Sequence, residues 1–178
     1  MQELIIDALR PKLEALPFVT RFGGLAQVLR TTDTGGVAKR LPITADSQPL
    51  TPDSKGGGLL YFEHQRLNTV LERTALAVDS TMLLVFWGDL TAYDDTSAAA
   101  ALAQAALIAA LPQGMYGHGP LFKMTHVASR IMLPQDGLFD KYTYNEAQTQ
   151  YLLKPYTAFA VEVKTACNIP LTCLPQPS

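Results

Sequence analysis

The hydrophobic pattern of the chain is clearest between residues 56 and 90, where apolar and polar positions alternate with a period of two. Three glycines lead into the run LLYF, and the stretch closes on a second apolar run, MLLVFW. Alternation together with branched and aromatic side chains is typical of β-strands. We therefore predict three consecutive antiparallel strands, with a reversal at Leu67-Asn68. The last of these strands is apolar enough to be a central one.

Two further segments have the pattern of helices. Apolar residues at 3.6-residue spacing predict an amphipathic helix over residues 2–16, kinked or truncated at Pro11. The run SAAAALAQAALIAALP predicts a strong second helix, with N-cap candidates among residues 94–97. This helix is apolar on nearly every side, so we expect it to lie between the sheet and a second layer or a neighbouring subunit.

The region between the first helix and the central strands reads as a hairpin, an edge strand and a loop. Gly23-Gly24 supplies the positive φ values of a tight turn, which predicts a β-hairpin over residues 18–31. Residues 37–45 predict an extended segment, either an edge strand or an irregular one, because their proline cannot donate to a strand ladder. Residues 47–58 are rich in proline, glycine and polar side chains and predict a long loop.

The C-terminal third predicts two more strands with an insertion between them. Alternation predicts a strand over residues 123–133 and another over residues 156–164. Residues 134–137 form a turn signal, and a short helix fits residues 145–152. The proline-rich tail, residues 168–178, predicts irregular structure.

The order of these elements, taken with the composition, predicts one α+β domain over residues 1–178. Strands that follow one another with helices at the edges favour a mainly antiparallel β-sheet with helices packed on one face. The chain has 178 residues, enough to bury a substantial core. Only 17% of them are charged, which suggests that partners cover part of the surface.

Charge and hydropathy argue against two classes of partner. The formal net charge is −2 and no basic run occurs, so we expect no sequence-specific nucleic-acid binding. The apolar stretch of residues 98–111 is too short to cross a bilayer, and the N-terminus lacks the pattern of a secretory signal. We therefore expect no membrane association, and reduced thiols at Cys167 and Cys173.

The residues that could carry chemistry form no catalytic or metal-binding motif. His64, His118 and His126 lack metal-ligand spacing, and the glycines at residues 56–58 lack the lysine and hydroxyl that close a phosphate loop. Strand alternation is expected to place Glu63 on the solvent side as a surface carboxylate. We predict no catalytic residue, metal or cofactor. A small hydrolase or ligand-binding domain stays open if Glu63, His118 or His126 converge in one pocket.

Several segments resemble the tail terminator, or tail completion, proteins of long-tailed bacteriophages. They are ALRPKLEALP, FVTRFGGLAQVL, PDSKGGGLLYFE, LLVFWGDL and KYTYNEAQTQYLLKPYTAFAVEV. The last three are similar in particular to structural proteins of tail modules in Bacteroidetes-type phages. The likeness extends over most of the chain in the order of its elements.

This resemblance implies a structural virion protein without an active site. Proteins of this family form a ring, usually hexameric, that caps the tail tube and joins it to the head connector. The implied partners are further copies of the chain, the tail tube protein and the connector or neck proteins. The implied location is the tail or neck of the virion, after assembly in the host bacterial cytoplasm. A head-side neck protein (stopper or adaptor), or another tail component, is the alternative.

Contacts of that kind require projecting loops and amphipathic patches. The expected projecting elements are the loop of residues 47–58 and the glycine-rich residues 113–120. Tyrosines offer contact area with a polar tip, although core packing at the sheet edge explains them equally well. The candidate interface residues are Pro52, Asp53, Lys55, Asn68, Tyr116, His118, Tyr142, Tyr144 and Tyr151.

Overall fold

Over the residues that it describes, the computed structural model shows two α-helices, a six-stranded sheet and a separate two-stranded ribbon. It describes residues 2–32, 35–36, 38–52, 57–94, 96–111, 114–117, 123–144, 149 and 152–170. In chain order the elements are α1 (Gln2–Glu14), β1 (Val19–Leu25), β2 (Gln27–Thr32), β3 (Ala38–Ile43), β4 (Gly57–Leu71), β5 (Ala75–Asp89), α2 (Ala99–Ala110), β6 (Gly114–Gly117), β7 (Lys123–Met132) and β8 (Tyr156–Pro170).

The large sheet confirms the predicted α+β class and the mainly antiparallel pairing. Its strands lie in the order β1-β4-β5-β8-β7-β6, and only the β1–β4 pair is parallel. β2 and β3 pair antiparallel with each other to form the ribbon. Both helices pack on the same face of the sheet, as predicted, because residues of α1 and α2 share one hydrophobic cluster with that face.

The predicted N-terminal helix is confirmed as α1, which continues through Pro11. Its apolar stripe is buried: Ile5, Leu9 and Leu13 are at most 1% exposed. Pro11 lies on the exposed side of the helix. The helix is therefore not truncated at this proline, since packing of the apolar stripe stabilises both of its ends.

The predicted hairpin at Gly23-Gly24 is wrong. Both glycines lie inside β1, which pairs with β4, while β2 leaves the sheet and joins the ribbon. Gly24 does adopt a positive φ of 65°. A Cβ atom at Gly23 would collide with the side chain of Leu50 and lie 3.2 Å from the Cβ of Tyr61. This glycine is therefore required by close packing between layers and not by a turn.

The predicted reversal at Leu67-Asn68 is also wrong, and two long strands replace the three expected. β4 continues in register with β5 past both residues, and the chain turns at residues 72–74 instead. The backbone N–H of Glu72 donates to the carbonyl of Ala75 at 2.8 Å across this turn. Leu67-Asn68 lacks the glycine that two-residue hairpin turns favour, which agrees with its place inside a strand.

The predicted alanine-rich helix is confirmed as α2, with Ala103 and Leu107 fully buried. Its N-cap position is Ala98, outside the candidate residues 94–97, and two polar residues order the turn before it. The Thr96 hydroxyl accepts the Ala98 N–H at 3.2 Å, and the carboxylate of Asp94 accepts the Thr96 N–H at 2.8 Å. Hydrogen bonds from the side chain and backbone of Thr96 hold the pKa of Asp94 below its ordinary value.

The two predicted C-terminal strands are confirmed as β7 and β8, and the turn between residues 134 and 137 is a short 3₁₀ helix. β8 is longer than predicted, because residues 168–170 pair with residues 75–77 of β5. The prediction of an irregular tail is wrong for those three residues. Most of the helix predicted over residues 145–152 lies outside the described residues. Cys167 is a free, buried thiol, and Cys173 is not among the described residues.

The central part of the sheet is buried on both faces, which explains the continuous apolar run in β5. Leu60, Leu84, Phe86, Phe159 and Val161 face the helices. Leu59, Tyr61, Val85, Trp87 and Ala160 face the other way. This second face is covered by Leu50 and by a strap formed by residues 138–144, whose Leu138, Phe139 and Tyr142 are buried. The ring of Phe139 lies 4.7 Å from that of Trp87.

Candidate interface surfaces

Glu63 lies under the strap, so the prediction that it faces solvent is wrong. It belongs to the same face of β4 as Leu59 and Tyr61 and is 1% exposed. The Tyr142 hydroxyl donates to one carboxylate oxygen at 2.5 Å, and the Lys141 ammonium contacts the other at 2.5 Å. A buried charge requires such partners. The carboxylate therefore fastens the strap to the sheet.

Three tyrosines surround this carboxylate: Tyr61, Tyr142 and Tyr144. Burial raises the pKa of each phenol well above its ordinary value, and the negative charge of Glu63 raises it further. All three phenols consequently stay protonated at neutral pH. The cluster has the properties of a structural core, since none of its phenols is adjusted to exchange a proton near pH 7.

The register of the sheet separates Glu63 from His126. The row of paired residues that starts at Glu63 continues through Leu83 and Glu162 to Arg130. His126 pairs with Thr165, three residues further along β8, which is about 10 Å of strand. His118 lies outside the described residues. Within the described part of the chain, no three His, Cys, Asp or Glu residues come together as a metal site would require.

Of the four candidate interface residues whose side chains are described, Asn68 alone lies on an open surface. Pro52 is buried, and Tyr142 and Tyr144 pack in the core, as the alternative of core packing described. Asn68 is exposed, but in the middle of β4 rather than in a turn. Tyr116 lies in β6, which is an edge strand of the large sheet. Asp53, Lys55, His118 and Tyr151 lie outside the described residues.

Part of the predicted 47–58 loop lies on the protein rather than projecting from it, and residues 57–58 belong to β4 rather than to a loop. Arg21 donates to the carbonyl oxygens of Pro49 and Thr51 at 3.0 and 2.8 Å. Leu50 is fully buried against the second face of the sheet. The expectation of a projecting loop is therefore wrong for residues 50–52, whereas residues 47–49 are exposed.

A surface that the sequence did not predict lies along the second half of β4, whose partner strand β5 is largely buried there, with Val78 and Ser80 at 1% and 2% exposed. We name residues 66–71 of β4 the sheet extension. Residues 64–71 of β4 are all exposed, and their apolar members Leu67, Val70 and Leu71 are 43%, 50% and 72% exposed. β1 pairs with β4 only as far as Phe62. Beyond that residue, no described strand covers the outer edge of β4.

The ribbon of β2 and β3 is a second projecting element. All six residues of β2 are exposed, with Val28 and Leu29 at 47% and 43%. The strap touches the ribbon where the N–H of Thr143 donates to the carbonyl of Arg40 at 2.8 Å. Two-stranded hairpins are marginally stable in isolation, so contacts such as this one with the strap are needed to stabilise the ribbon.

Comparison of the chain with known proteins gives no match that would indicate what either surface binds. No family model, no curated protein and no solved structure matches the chain. Among the described residues, no helix is both long enough and apolar enough to cross a membrane.

Proposed function

We propose that this protein is the tail terminator of a long-tailed bacteriophage, a structural subunit whose ring caps the tail tube and joins it to the head connector. The resemblance of its sequence segments to that family suggests the role. The observation that carries the proposal is the uncovered outer edge of the sheet extension. Such an edge suits a protein that functions by binding other proteins.

An uncovered strand edge with apolar side chains is a hazard for a protein that stays alone. Its free N–H and C=O groups offer a template on which another strand can pair, and natural proteins usually cover or charge such edges. The exposed part of β4, residues 64–71, is about 25 Å long at the rise of a β-strand. We assign this edge to the tail tube protein, one strand of which would continue the sheet.

The arrangement around Glu63 favours this role over a hydrolase. Both oxygens of its carboxylate are held by strap residues, and Tyr142 closes the face above it. A general base must instead reach the proton that it abstracts. We therefore propose that Glu63 maintains the fold.

The proposal is tested by mass photometry and electron microscopy of the protein alone and with its tail tube protein. The expected results are a ring of subunits and tube ends capped by that ring. A protein that stays monomeric at micromolar concentration under both conditions refutes the proposed function. Labelled protein found at the head side of the junction, away from the tube, would favour the neck alternative.

The tube contact has a matched pair of variants. Leu71→Lys places a charge on the sheet extension. Leu153→Lys makes the same change elsewhere on the surface at a residue of similar exposure, since Leu71 is 72% and Leu153 67% exposed. We expect the first variant to leave most tube ends uncapped and the second to cap them as the wild type does. Equal capping by both variants contradicts the assignment of the edge.

A further inference from the structure

The ribbon carries two arginines without ion-pair partners among the described residues. Arg30 of β2 and Arg40 of β3 occupy directly opposed positions and therefore share a face of the ribbon. Both are exposed, and no described residue forms a hydrogen bond or ion pair with either guanidinium. Like charges placed directly opposite each other destabilise a strand pair, so this pair is better satisfied with an anion between its members.

A groove of complementary charge lies at the base of the same ribbon. It has a volume of about 390 Å³ and is lined on one side by α1 and on the other by β1 and residues 45–46. Its ionisable residues are Glu3, Asp7 and Asp46 together with Arg10, which pairs with Asp7 at 3.6 Å. Two net negative charges therefore remain in the groove.

The two features of one molecule are separated. Gln27, the first residue of β2, lines the groove, whereas Arg30 lies three residues further out, about 10 Å along the strand. Arg30 and Arg40 line a different hollow, of about 300 Å³, that shares no residue with the groove. We name the part of the ribbon that carries Arg30 and Arg40 the arm. Each copy thus presents a basic arm at one place and an acidic groove at another.

We propose that Arg30 and Arg40 of each copy bind the groove formed by Glu3, Asp7 and Asp46 of a second copy. Two positive charges then meet two negative charges, and guanidiniums are suited to paired carboxylates. Because arm and groove are different surfaces, the contact is head-to-tail and repeats from copy to copy, closing into a ring where the rotation permits. This inference rests on the proposed function and supplies the contact between ring subunits.

Charge reversal tests the contact. The arm variant Arg30→Glu/Arg40→Glu and the groove variant Glu3→Lys/Asp46→Lys each bring like charges together, and the second leaves the Asp7–Arg10 pair in place. We expect each variant alone to need at least about tenfold more protein to form rings, since facing like charges cost several kcal/mol. Mixed in equal amounts, the two variants offer complementary pairs in both directions, so rings of alternating subunits should return.

The matched control for the arm variant is Arg73→Glu/Lys154→Glu, which makes the same change in net charge as that variant at exposed residues away from the ribbon and the groove. Circular dichroism and thermal melts confirm that every variant is folded. Rings that persist in both reversal variants overturn this inference. Failure of the mixture to restore rings from folded variants overturns it as well. Either result leaves the proposed function standing. A monomeric wild type refutes the proposed function itself.

Discussion

The hydrogen bond between Tyr142 and Glu63 should stabilise the fold by an amount that a single substitution can measure. Tyr142→Phe removes the hydroxyl that donates to the buried carboxylate and leaves the ring in place. A hydrogen bond to a charged group contributes about 1.5–3 kcal/mol. Lys141 still contacts the other oxygen, so we expect the free energy of unfolding to fall by about 2 kcal/mol. For a chain of this length that loss lowers Tm by about 4–8 °C.

Tyr144→Phe is the control within the same cluster. The Tyr144 hydroxyl is buried without a hydrogen-bond partner among the described residues, while its ring contacts Trp87 and Phe139. Removing this hydroxyl relieves an unsatisfied polar group, so stability should stay within about 0.5 kcal/mol of the wild type or rise. Urea denaturation followed by circular dichroism measures both variants under the same conditions.

Equal losses of stability in the two tyrosine variants would contradict a specific role of the Tyr142 hydroxyl. A double-mutant cycle adds a second check, in which Tyr142→Phe is combined with Glu63→Gln. If the hydroxyl acts through the carboxylate, the two losses should be non-additive by about 1 kcal/mol. Additive losses would show that Tyr142 stabilises the strap by packing alone.

Three further outcomes follow from the described contacts. Stability should fall as pH rises above about 10, because the buried phenols keep their protons in the folded state after the unfolded chain has lost them. Urea midpoints measured from about pH 8 to about pH 11 test this. If the stability of Tyr142→Phe falls with pH as steeply as that of the wild type, the expectation is contradicted. Gly58→Ala should cost about 1–3 kcal/mol, because its Cβ would collide with the Phe86 ring and the carbonyl oxygen of Phe18; an unchanged urea midpoint contradicts this. Phe159→Ala should cost about 3–5 kcal/mol in the same assay, because its fully buried ring stacks on that of Phe86; a loss below about 1 kcal/mol contradicts the assigned packing.

Elements with a strong local period could be predicted from the sequence. α2 follows from alanine and leucine propensity, and the apolar run of β5 follows from burial on both faces of the sheet. The alternation in β8 likewise predicted its first nine residues correctly. Its last residues were missed because prolines near the C-terminus suggested irregular structure, while pairing with β5 continues to Pro170.

The features that depend on distant residues could not be predicted in this way. Gly23 has the signature of a turn, but its role is set by Leu50 and Tyr61, far away in the sequence. Alternation shows that Glu63 shares a face of β4 with Leu59 and Tyr61, but it does not show whether that face is covered. The strap that covers it lies more than 70 residues later in the chain. The exposed edge of β4 depends equally on where β1 stops pairing.

The parallel pairing of β1 and β4 makes the ribbon an insertion within a crossover. The chain leaves the sheet after β1, builds β2 and β3, and returns at β4, and none of the described strand pairs joins the ribbon to the large sheet. Lengthening such a connection costs little, about 0.6 kcal/mol for each doubling. The ribbon can therefore gain or lose residue pairs at its tip during evolution without shifting the register of the core. An engineer could use the same freedom to carry a foreign peptide on a scaffold whose sheet stays unchanged.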